Sequence, residues 1–377
     1  MSNTRDENSR RMGGDLPDDT DPEADSVEVG QDGKPSVLAG LWRTLEEAGV
    51  NIADDPPRRK WLLKIIDDGA LPLGKAGVLA AGGGTGKTMA LVQLALAVAT
   101  GGFWLGAFKV ATPGNVLIAL AEEDMEEVQR RFYRAANIAG EKGGPLNRDE
   151  RAEATRRIVA LPLAGNPVAL TCKDKEGNTT ESPFLAELRR CLDDREWSLI
   201  ILDPLARWAG DDAEVDNAAA TRFVQAVESL VRSPGTPTEL VAHHSSAASI
   251  KERQSNVRGA SGIVDGFRWA AVLDAVEGEN EHGKVKGVRL SLKKTNYTKP
   301  FDDVYLIRSE EGGAFVAASD AQREALERGK KAADDEARRL KAEAARLNAE
   351  TKAKAEARRG EKGKADPTVS KLIRGDE

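Results

Sequence analysis

The stretch of the sequence best suited to chemistry is AAGGGTGKT, residues 80–88, in which glycines are followed by a lysine and a threonine. Successive glycines let backbone N–H groups turn toward one point, and a helix that begins there adds a partial positive charge. A lysine at this place can reach the β- and γ-phosphates of a triphosphate, and a threonine hydroxyl can ligate Mg²⁺. The stretch therefore predicts a phosphate-binding loop for ATP and Mg²⁺. The residues of this predicted loop are Gly82, Gly83, Gly84, Thr85, Gly86, Lys87 and Thr88.

An acidic residue at the tip of a neighbouring strand is needed to hold the water shell of the Mg²⁺. In LIILDPLAR, Asp203 comes directly after an apolar run and meets this requirement. An aspartate that ends a strand could instead cap a helix, but the presence of Lys87 favours the metal role. We expect Thr88 and Asp203 to hold Mg²⁺ together.

Three acidic residues, Glu122, Glu123 and Asp124, follow a second apolar run in NVLIALAEED. Hydrolysis requires a group that orients or deprotonates the attacking water. Side chains alternate along a strand, so one of these carboxylates can aim at the γ-phosphate. We predict Glu122 as the catalytic base, with Glu123 as the alternative, and expect the others to start the next helix, where acidic residues suit the helix dipole.

A third apolar run ends in LVAHHSS and carries two of the three histidines of the chain, His243 and His244. Polar residues at this place can contact the γ-phosphate, so that loss of this phosphate changes the conformation of the loop that follows. A structural role is the alternative, and no nearby cysteine or aspartate completes a metal site. The next residues, 245–262, are small and polar and include Lys251 and Arg253, which could meet the phosphates of a nucleic acid. A solvated surface loop is the alternative interpretation.

These groups must be positioned by a sheet, and the pattern of apolar runs predicts one. The runs expected to form strands are 77–81, 115–121, 199–203 and 240–243. The stretches expected to form helices are 87–100, 126–139, 183–195 and 218–231. Nearly continuous apolar strands that alternate with helices indicate an α/β fold with a mainly parallel sheet covered on both faces. After Phe267 the pattern changes to WAAVLDAV, VKGVRLSLKK, DVYLIRSE and GAFVAAS, which predicts an antiparallel extension.

Composition narrows the setting in which such a fold would work. The chain has 377 residues and a net charge of −7. Its two cysteines, Cys172 and Cys191, provide no disulfide framework or metal-ligand spacing. The chain begins with polar and acidic residues rather than a secretory signal, and its longest uncharged run is interrupted by glycines and polar residues. We expect no membrane span and a cytoplasmic location.

Taken in order, the segments AAGGGTGKT, ALAEED, IILDPLARW, LVAHHSS, VRGASGIVDGFRW and LKKTNYTKPF resemble the RecA-fold ATPases of the RepA type. These are the hexameric replicative DNA helicases of plasmids and phages. The resemblance covers about residues 61–318. Its specific part runs from the double histidine to KTNY, because the phosphate-loop and aspartate motifs are shared with many ATPases. Ala81 in place of glycine, the doubled Glu122-Glu123 and the long charged C-terminal arm depart from the pattern.

The resemblance implies a homo-hexameric ring in which nucleotide lies between subunits. Arg258 would match the arginine finger that reaches the γ-phosphate of a neighbouring subunit, and Lys294 would face the same boundary. The loop around Lys251 and Arg253 would line the central channel and contact single-stranded DNA. A primase or a replication initiator would be a further partner.

The sequence thus predicts three segments of the chain. Residues 1–36 form a disordered acidic tail, residues 37–319 a RecA-like P-loop ATPase domain, and residues 320–377 a charged arm that is helical or disordered. The leading prediction for function is an ATP-driven DNA helicase or translocase, with 5′-to-3′ polarity implied by the resemblance alone. The alternatives are a DNA-stimulated ATPase that acts as a loader or in recombination and repair, and a nucleotide-binding interaction module without unwinding.

Overall fold

The computed structural model describes residues 42–140, 144–210, 213, 216–244, 263, 266–309 and 313–362, with side chains up to residue 356. The chain divides into two compact units, Met1–Arg58 and Arg59–Glu377. In the first unit, the described part is a short stretch of turns. The side chains of Thr44 and Glu47 each accept a hydrogen bond there from the backbone N–H of the other residue. The acidic tail predicted for residues 1–36 lies outside the described residues.

The second unit is an α/β domain. Its strands are β1 (Trp61–Ile65), β2 (Asp68–Pro72), β3 (Ala76–Ala81), β4 (Phe103–Trp104), β5 (Phe108–Val110), β6 (Asn115–Leu120), β7 (Ile158–Pro162), β8 (Thr171–Lys173), β9 (Thr179–Glu181), β10 (Trp197–Asp203), β11 (Thr238–His244), β12 (Trp269–Asn280), β13 (Gly283–Thr295), β14 (Val304–Arg308) and β15 (Phe315–Ala317). Its helices are α1 (Lys87–Thr100), α2 (Met125–Ala136), α3 (Arg148–Arg157), α4 (Pro183–Leu192), α5 (Leu205–Trp208), α6 (Asn217–Leu230) and α7 (Asp320–Lys362).

The large central sheet has the strand order β15-β14-β13-β12-β3-β11-β10-β6-β7. Neighbouring strands pair in parallel from β12 through β3, β11, β10 and β6 to β7. They pair antiparallel from β12 through β13 and β14 to β15. This arrangement confirms the predicted fold class. Alternate residues of the parallel strands enter two separate cores: Leu79 packs in the core on the α1 side, and Val78 packs in the core on the α6 side. Burial on both faces explains why most residues of these strands are apolar.

Helix α1 is the central element of one core. It begins at Lys87 and ends at Thr100, as predicted, and it is buried on nearly every side between the sheet and the helices α2 and α3. At its end Gly101 takes a φ of 75° and donates its N–H to the Ala97 carbonyl. Its apolar character thus belongs to an interior helix, and within the described ranges no helix combines the length and apolarity that a bilayer crossing requires.

Smaller elements complete the unit around the central sheet. Strands β2, β1, β5 and β4 form an antiparallel sheet, and β8 pairs with β9 in a hairpin. Helix α7 begins as part of the domain rather than as a free arm: Ala325 and Leu326 are fully buried. A side chain at Gly278 would lie 2.1 Å from the Ala325 carbonyl oxygen, so α7 can pack here only because this strand position is glycine. Residues 320–377 were predicted to form a charged arm, and the first turns of this helix instead bury apolar side chains.

A buried carboxyl group interrupts the core beside α6. Glu239 in β11 is fully buried, and neither of its side-chain oxygens has a hydrogen-bond partner in the described part of the chain. Burial raises the pKa of Glu239 well above its usual value of 4.5, and the nearby Glu228 carboxylate raises it further. Since a neutral acid costs far less to bury than a carboxylate, folding favours the protonated form.

We therefore predict that Glu239 makes the fold less stable as the pH rises. The folded-state pKa lies above the unfolded-state pKa, so the stabilisation is complete below about pH 4.5 and declines until the pH passes the folded-state value. Glu239→Gln keeps the shape of the side chain but does not titrate. As the pH rises from 5 to 8, the free energy of unfolding of the wild type should therefore fall relative to that of Glu239→Gln. Urea unfolding at both pH values measures this difference. Glu187→Gln, which alters an exposed carboxylate of α4, is the control, and equal pH profiles for Glu239→Gln and wild type would contradict the prediction.

Candidate functional site

Several residues with candidate functions lie at one edge of the parallel sheet. β11 lies between β3 and β10, and β6 lies on the other side of β10. Their register pairs His244 with Ala81 and Asp203 with Leu120. Because parallel strands end at the same edge, the glycine loop after β3, the histidines, Asp203 and Glu122 follow one another along that edge.

The glycine loop turns tightly before α1 begins. Thr85 donates its N–H to the Gly82 carbonyl at 3.2 Å, which closes a four-residue turn. Gly84 and Gly86 take φ values of 71° and 99°, which favour glycine because other residues clash there. The loop therefore requires glycine at these two positions for reasons of backbone conformation.

The start of α1 differs from the starts of four other helices. Side chains cap α2, α3, α4 and α6, and the capping residues are Asp124, Asn147, Ser182 and Asp216. Helix α1 begins after Gly86, has no side-chain cap, and has no acidic residue in its first turn. The positive end of its dipole and its first backbone N–H groups thus have no side-chain acceptor. An anion such as a phosphate group fits this position.

Lys87, Thr88 and Asp203 form the charged centre of the site. Lys87 Nζ lies 3.3 Å from Asp203 Oδ1, and the two side chains are 3% and 4% exposed. The Thr88 hydroxyl donates to Asp203 Oδ2 at 2.6 Å. Burial lowers the pKa of Lys87, while the negative charges of Asp203 and Glu122 oppose that shift. Lys87 Nζ makes no well-aligned hydrogen bond within the described residues, so a buried ammonium group with unused donors faces the site.

These residues fit a nucleotide with Mg²⁺. A triphosphate would supply the acceptors that Lys87 and the start of α1 lack. Within the described residues, no group of three or more histidine, cysteine or acidic side chains forms a metal cage. Mg²⁺ commonly binds to one or two protein ligands together with phosphate oxygens and water, and Thr88 and Asp203 offer such a pair.

The two candidate bases have different surroundings. Glu123 is largely buried, and its carboxylate accepts from Arg131 Nη2 of α2 at 2.6 Å. Burial raises the pKa of Glu123, the negative charges of Glu127 and Asp203 raise it further, and Arg131 opposes the shift without cancelling it. Glu122 is half-exposed and lies 3.5 Å from the exposed Arg207, and its charge acts on the ammonium of Lys87. Glu122 is thus the less restrained of the two carboxylates.

The two histidines point to opposite faces of the sheet. Ala242 packs in the core of α1, and Val241 packs in the core of α6. Since side chains alternate along β11, His244 lies on the α1 face and His243 on the α6 face. His243 is buried, and His244 is exposed at the strand end. His244 therefore shares the face of Lys87, Thr88 and Asp203.

Other candidate residues are not brought to this edge. Lys294 pairs with Ala270 of β12, which pairs with Val78 of β3, so it lies back along the sheet from Ala81 and the loop. A role for Lys294 at the site of a neighbouring subunit stays a prediction. Lys251, Arg253 and Arg258 lie outside the described residues.

The structure adds a contact that no spacing in the sequence indicated. Arg308 at the end of β14 donates from Nη2 to the Gly84 carbonyl at 2.6 Å. A cavity of about 450 Å³ borders this contact and is lined by Gly83, Gly84, Thr85 and Arg308 together with residues of β12 and β13. A second, more apolar cavity of about 500 Å³ lies between α1, α2 and α3, away from the charged edge.

Two glycines of the loop, Gly83 and Gly86, provide a test of this geometry. A Cβ at Gly86 would lie 2.6 Å from the Phe315 ring, and the residue that carries it would have to keep a φ of 99°. A Cβ at Gly83 would meet nothing within 4 Å. We expect Gly86→Ala to lower the free energy of unfolding by roughly 1–3 kcal/mol. Gly83→Ala, the matched control, should change it by less than about 0.5 kcal/mol. Urea unfolding without nucleotide measures both, and equal losses would show that the loop is not held as described.

Two comparisons with known proteins gave a match. Among solved structures, a KaiC-like protein from the hyperthermophilic archaeon Pyrococcus horikoshii OT3 is similar at 15% identity and a TM-score of 0.42, over 70% of this chain and 100% of that one. The sequence pattern of a family described as an AAA domain matches residues 43–249, which is more than half of the chain. The chain therefore belongs to this AAA domain family of P-loop ATPases.

Proposed function

We propose that this P-loop ATPase is a helicase or translocase that acts on single-stranded DNA. The observation that carries the ATPase part is the buried contact of Lys87, Thr88 and Asp203 beside the uncapped start of α1. The DNA part is supported by the resemblance of the segments from LVAHHSS to KTNY to RepA-type helicases.

In the proposed site, the backbone N–H groups at the start of α1 and the ammonium of Lys87 bind the β- and γ-phosphates of ATP. Thr88 and Asp203 would hold Mg²⁺, which would offset the negative charge of the phosphates. The low exposure of Lys87 and Asp203 strengthens these interactions, because little water competes for them.

Glu122 is proposed as the base that orients the attacking water and accepts its proton. Only Ala121 separates it from the end of β6, which pairs with the strand that carries Asp203, and its charge acts on Lys87. Glu123 is proposed to hold Arg131, and with it α2, against the end of the sheet. Asp124 has a third task, because it caps α2 by accepting from the Glu127 N–H at 2.8 Å.

The histidines link the site to the DNA-binding loop in this proposal. His244 ends β11 on the face of the phosphate loop, and residues 245–262 follow it directly. Loss of the γ-phosphate would act on His244, and His243 would anchor the same strand end from the other face. Lys251 and Arg253 would contact DNA phosphates without regard to base sequence.

A ring completes the proposed mechanism. Arg258 and Lys294 act at the boundary between subunits, where the Arg258 guanidinium offsets charge that develops on the γ-phosphate of the neighbour. The proposed ring is a homo-hexamer.

A second candidate is a DNA-stimulated ATPase that loads or remodels other proteins. The exposure of α7 favours it, because beyond its first turns this charged helix presents its side chains to solvent up to residue 356. A primase or a replication initiator is the partner proposed for such a surface.

The roles of the two glutamates separate on substitution. Glu122→Gln removes the proposed base while keeping its size, so we expect kcat for ATP hydrolysis to fall by about 10²–10⁴-fold with ATP affinity nearly unchanged. Glu123→Gln weakens a contact with Arg131, so its kcat should fall by less than about tenfold. Steady-state hydrolysis and equilibrium ATP binding measure both effects. The reverse order of kcat values would assign the base to Glu123.

The proposed ring predicts that subunits share an active site. Single-stranded DNA should stimulate ATP hydrolysis, Arg258→Ala should abolish hydrolysis but still bind ATP, and an equal mixture with wild type should be less active than the average of the two. DNA binding should also weaken steeply as the salt concentration rises. If DNA has no effect and Arg258→Ala hydrolyses normally, the helicase proposal fails. Stimulation that requires a protein partner would instead support the loader.

A further inference from the structure

Arg308 links the antiparallel extension of the sheet to the phosphate loop. Arg308 ends β14, at the far side of β12 and β13 from the parallel strands. Its Nη2 donates to the Gly84 carbonyl at 2.6 Å across 224 positions of sequence. A hydrogen bond from a guanidinium is stronger than one between neutral groups, so this contact can restrain a glycine-rich segment.

Phe315 of β15 packs beside Arg308 against the same loop. The guanidinium of Arg308 lies over the Phe315 ring at 5.4 Å, and the ring fills the space where a side chain of Gly86 would stand. The Phe315 backbone is fixed to α1 in turn, because Gln93 donates to its carbonyl and accepts from its N–H, both at 2.8 Å. The loop, α1, β14 and β15 thus form one connected unit.

The Arg308 contact fixes the conformation of the loop backbone. The carbonyl and the N–H of a planar trans peptide point in opposite directions. An arginine that holds the Gly84 carbonyl therefore fixes the peptide plane between Gly84 and Thr85, and with it the turn that Thr85 closes on Gly82. Without this contact the three consecutive glycines, Gly82 to Gly84, could adopt many conformations, and the loop would have to be ordered when the phosphates bind.

We propose that Arg308 is a positioning residue of the nucleotide site, which holds the phosphate loop in its binding conformation before ATP arrives. This inference rests on the proposed binding of ATP phosphates by Lys87 and the start of α1, and it is independent of DNA. The competing interpretation is that Arg308 only fastens β14 to the domain. The two differ in their effect on ATP affinity, since a fastening residue would lower stability with and without nucleotide equally.

The test uses the full chain with Mg-ATP and no DNA. Arg308→Ala should raise the dissociation constant and the KM for ATP by about tenfold, while kcat changes by less than about twofold, because the proposed catalytic groups are untouched. The increase in unfolding temperature that saturating Mg-ATP causes in wild type should also become smaller. Arg308→Lys, which keeps one donor but not the planar contact with Phe315, should give an intermediate dissociation constant.

Arg189→Ala is the matched control, because Arg189 makes comparable hydrogen bonds to Glu181 and Ser229 away from the loop. It should leave ATP affinity unchanged. An ATP affinity of Arg308→Ala within about twofold of wild type overturns the proposal. If Arg308→Ala does not fold, Arg308→Lys decides: a raised dissociation constant supports the proposal, and a wild-type value overturns it.

Failure of the proposed function gives a different pattern. If Lys87→Ala binds ATP as wild type does, the loop is not the nucleotide site and the role of Arg308 fails with it. If DNA does not stimulate hydrolysis but Arg308→Ala weakens ATP binding as expected, the helicase proposal fails and the role of Arg308 is supported.

Discussion

The ammonium group of Lys87 is buried within 3.3 Å of Asp203, and a charge in the interior is tolerated only beside compensating groups. That requirement links three elements: β3 must end where the loop begins, α1 must start at Lys87, and β10 must bring Asp203 to the same edge with one strand between. Glu239 shows the alternative outcome in the same sheet. It has no partner in the described residues, and burial raises its pKa so that the neutral acid is favoured. Lys87 is therefore paired with an opposite charge at the edge that carries the candidate functions. Glu239 lies in the core away from that edge, where the neutral acid is favoured.

The loop that carries Lys87 is restrained from two sides. Helix α1 is packed into the core on nearly all its faces, so the start of the helix cannot shift without disturbing the α2 and α3 contacts. On the other side, Arg308 and Phe315 hold the glycines from the antiparallel extension. A segment that is flexible by composition is thereby placed between two rigid elements. This arrangement can give precise phosphate contacts from a backbone that has few side chains of its own.

Local pattern was sufficient to predict the features that depend on nearby residues. The bounds of α1, the strand that ends at Asp203 and the parallel core follow from runs of apolar residues and from turn residues. The contact of Arg308 with Gly84 could not be predicted, because it depends on the pairing of β12 to β15 and joins residues 224 positions apart. Glu239 resembles any strand residue until its burial is seen, and the packing of α7 depends on glycines of another element. The position of Lys294 depends on the register of β13 on β12, which places it beside Ala270 and away from the loop.

The proposed site contains hydrogen-bond donors that lack the acceptors that protein interiors normally provide. Four other helices begin with a side-chain cap, and α1 does not; Lys87 keeps donors that no described residue accepts. Buried polar groups are normally satisfied, and exceptions concentrate where a ligand completes the structure. A triphosphate would satisfy these donors together, so its binding would favour the folded loop through the same contacts that orient the γ-phosphate. Stability at this edge and affinity for nucleotide are then two effects of the same unsatisfied groups.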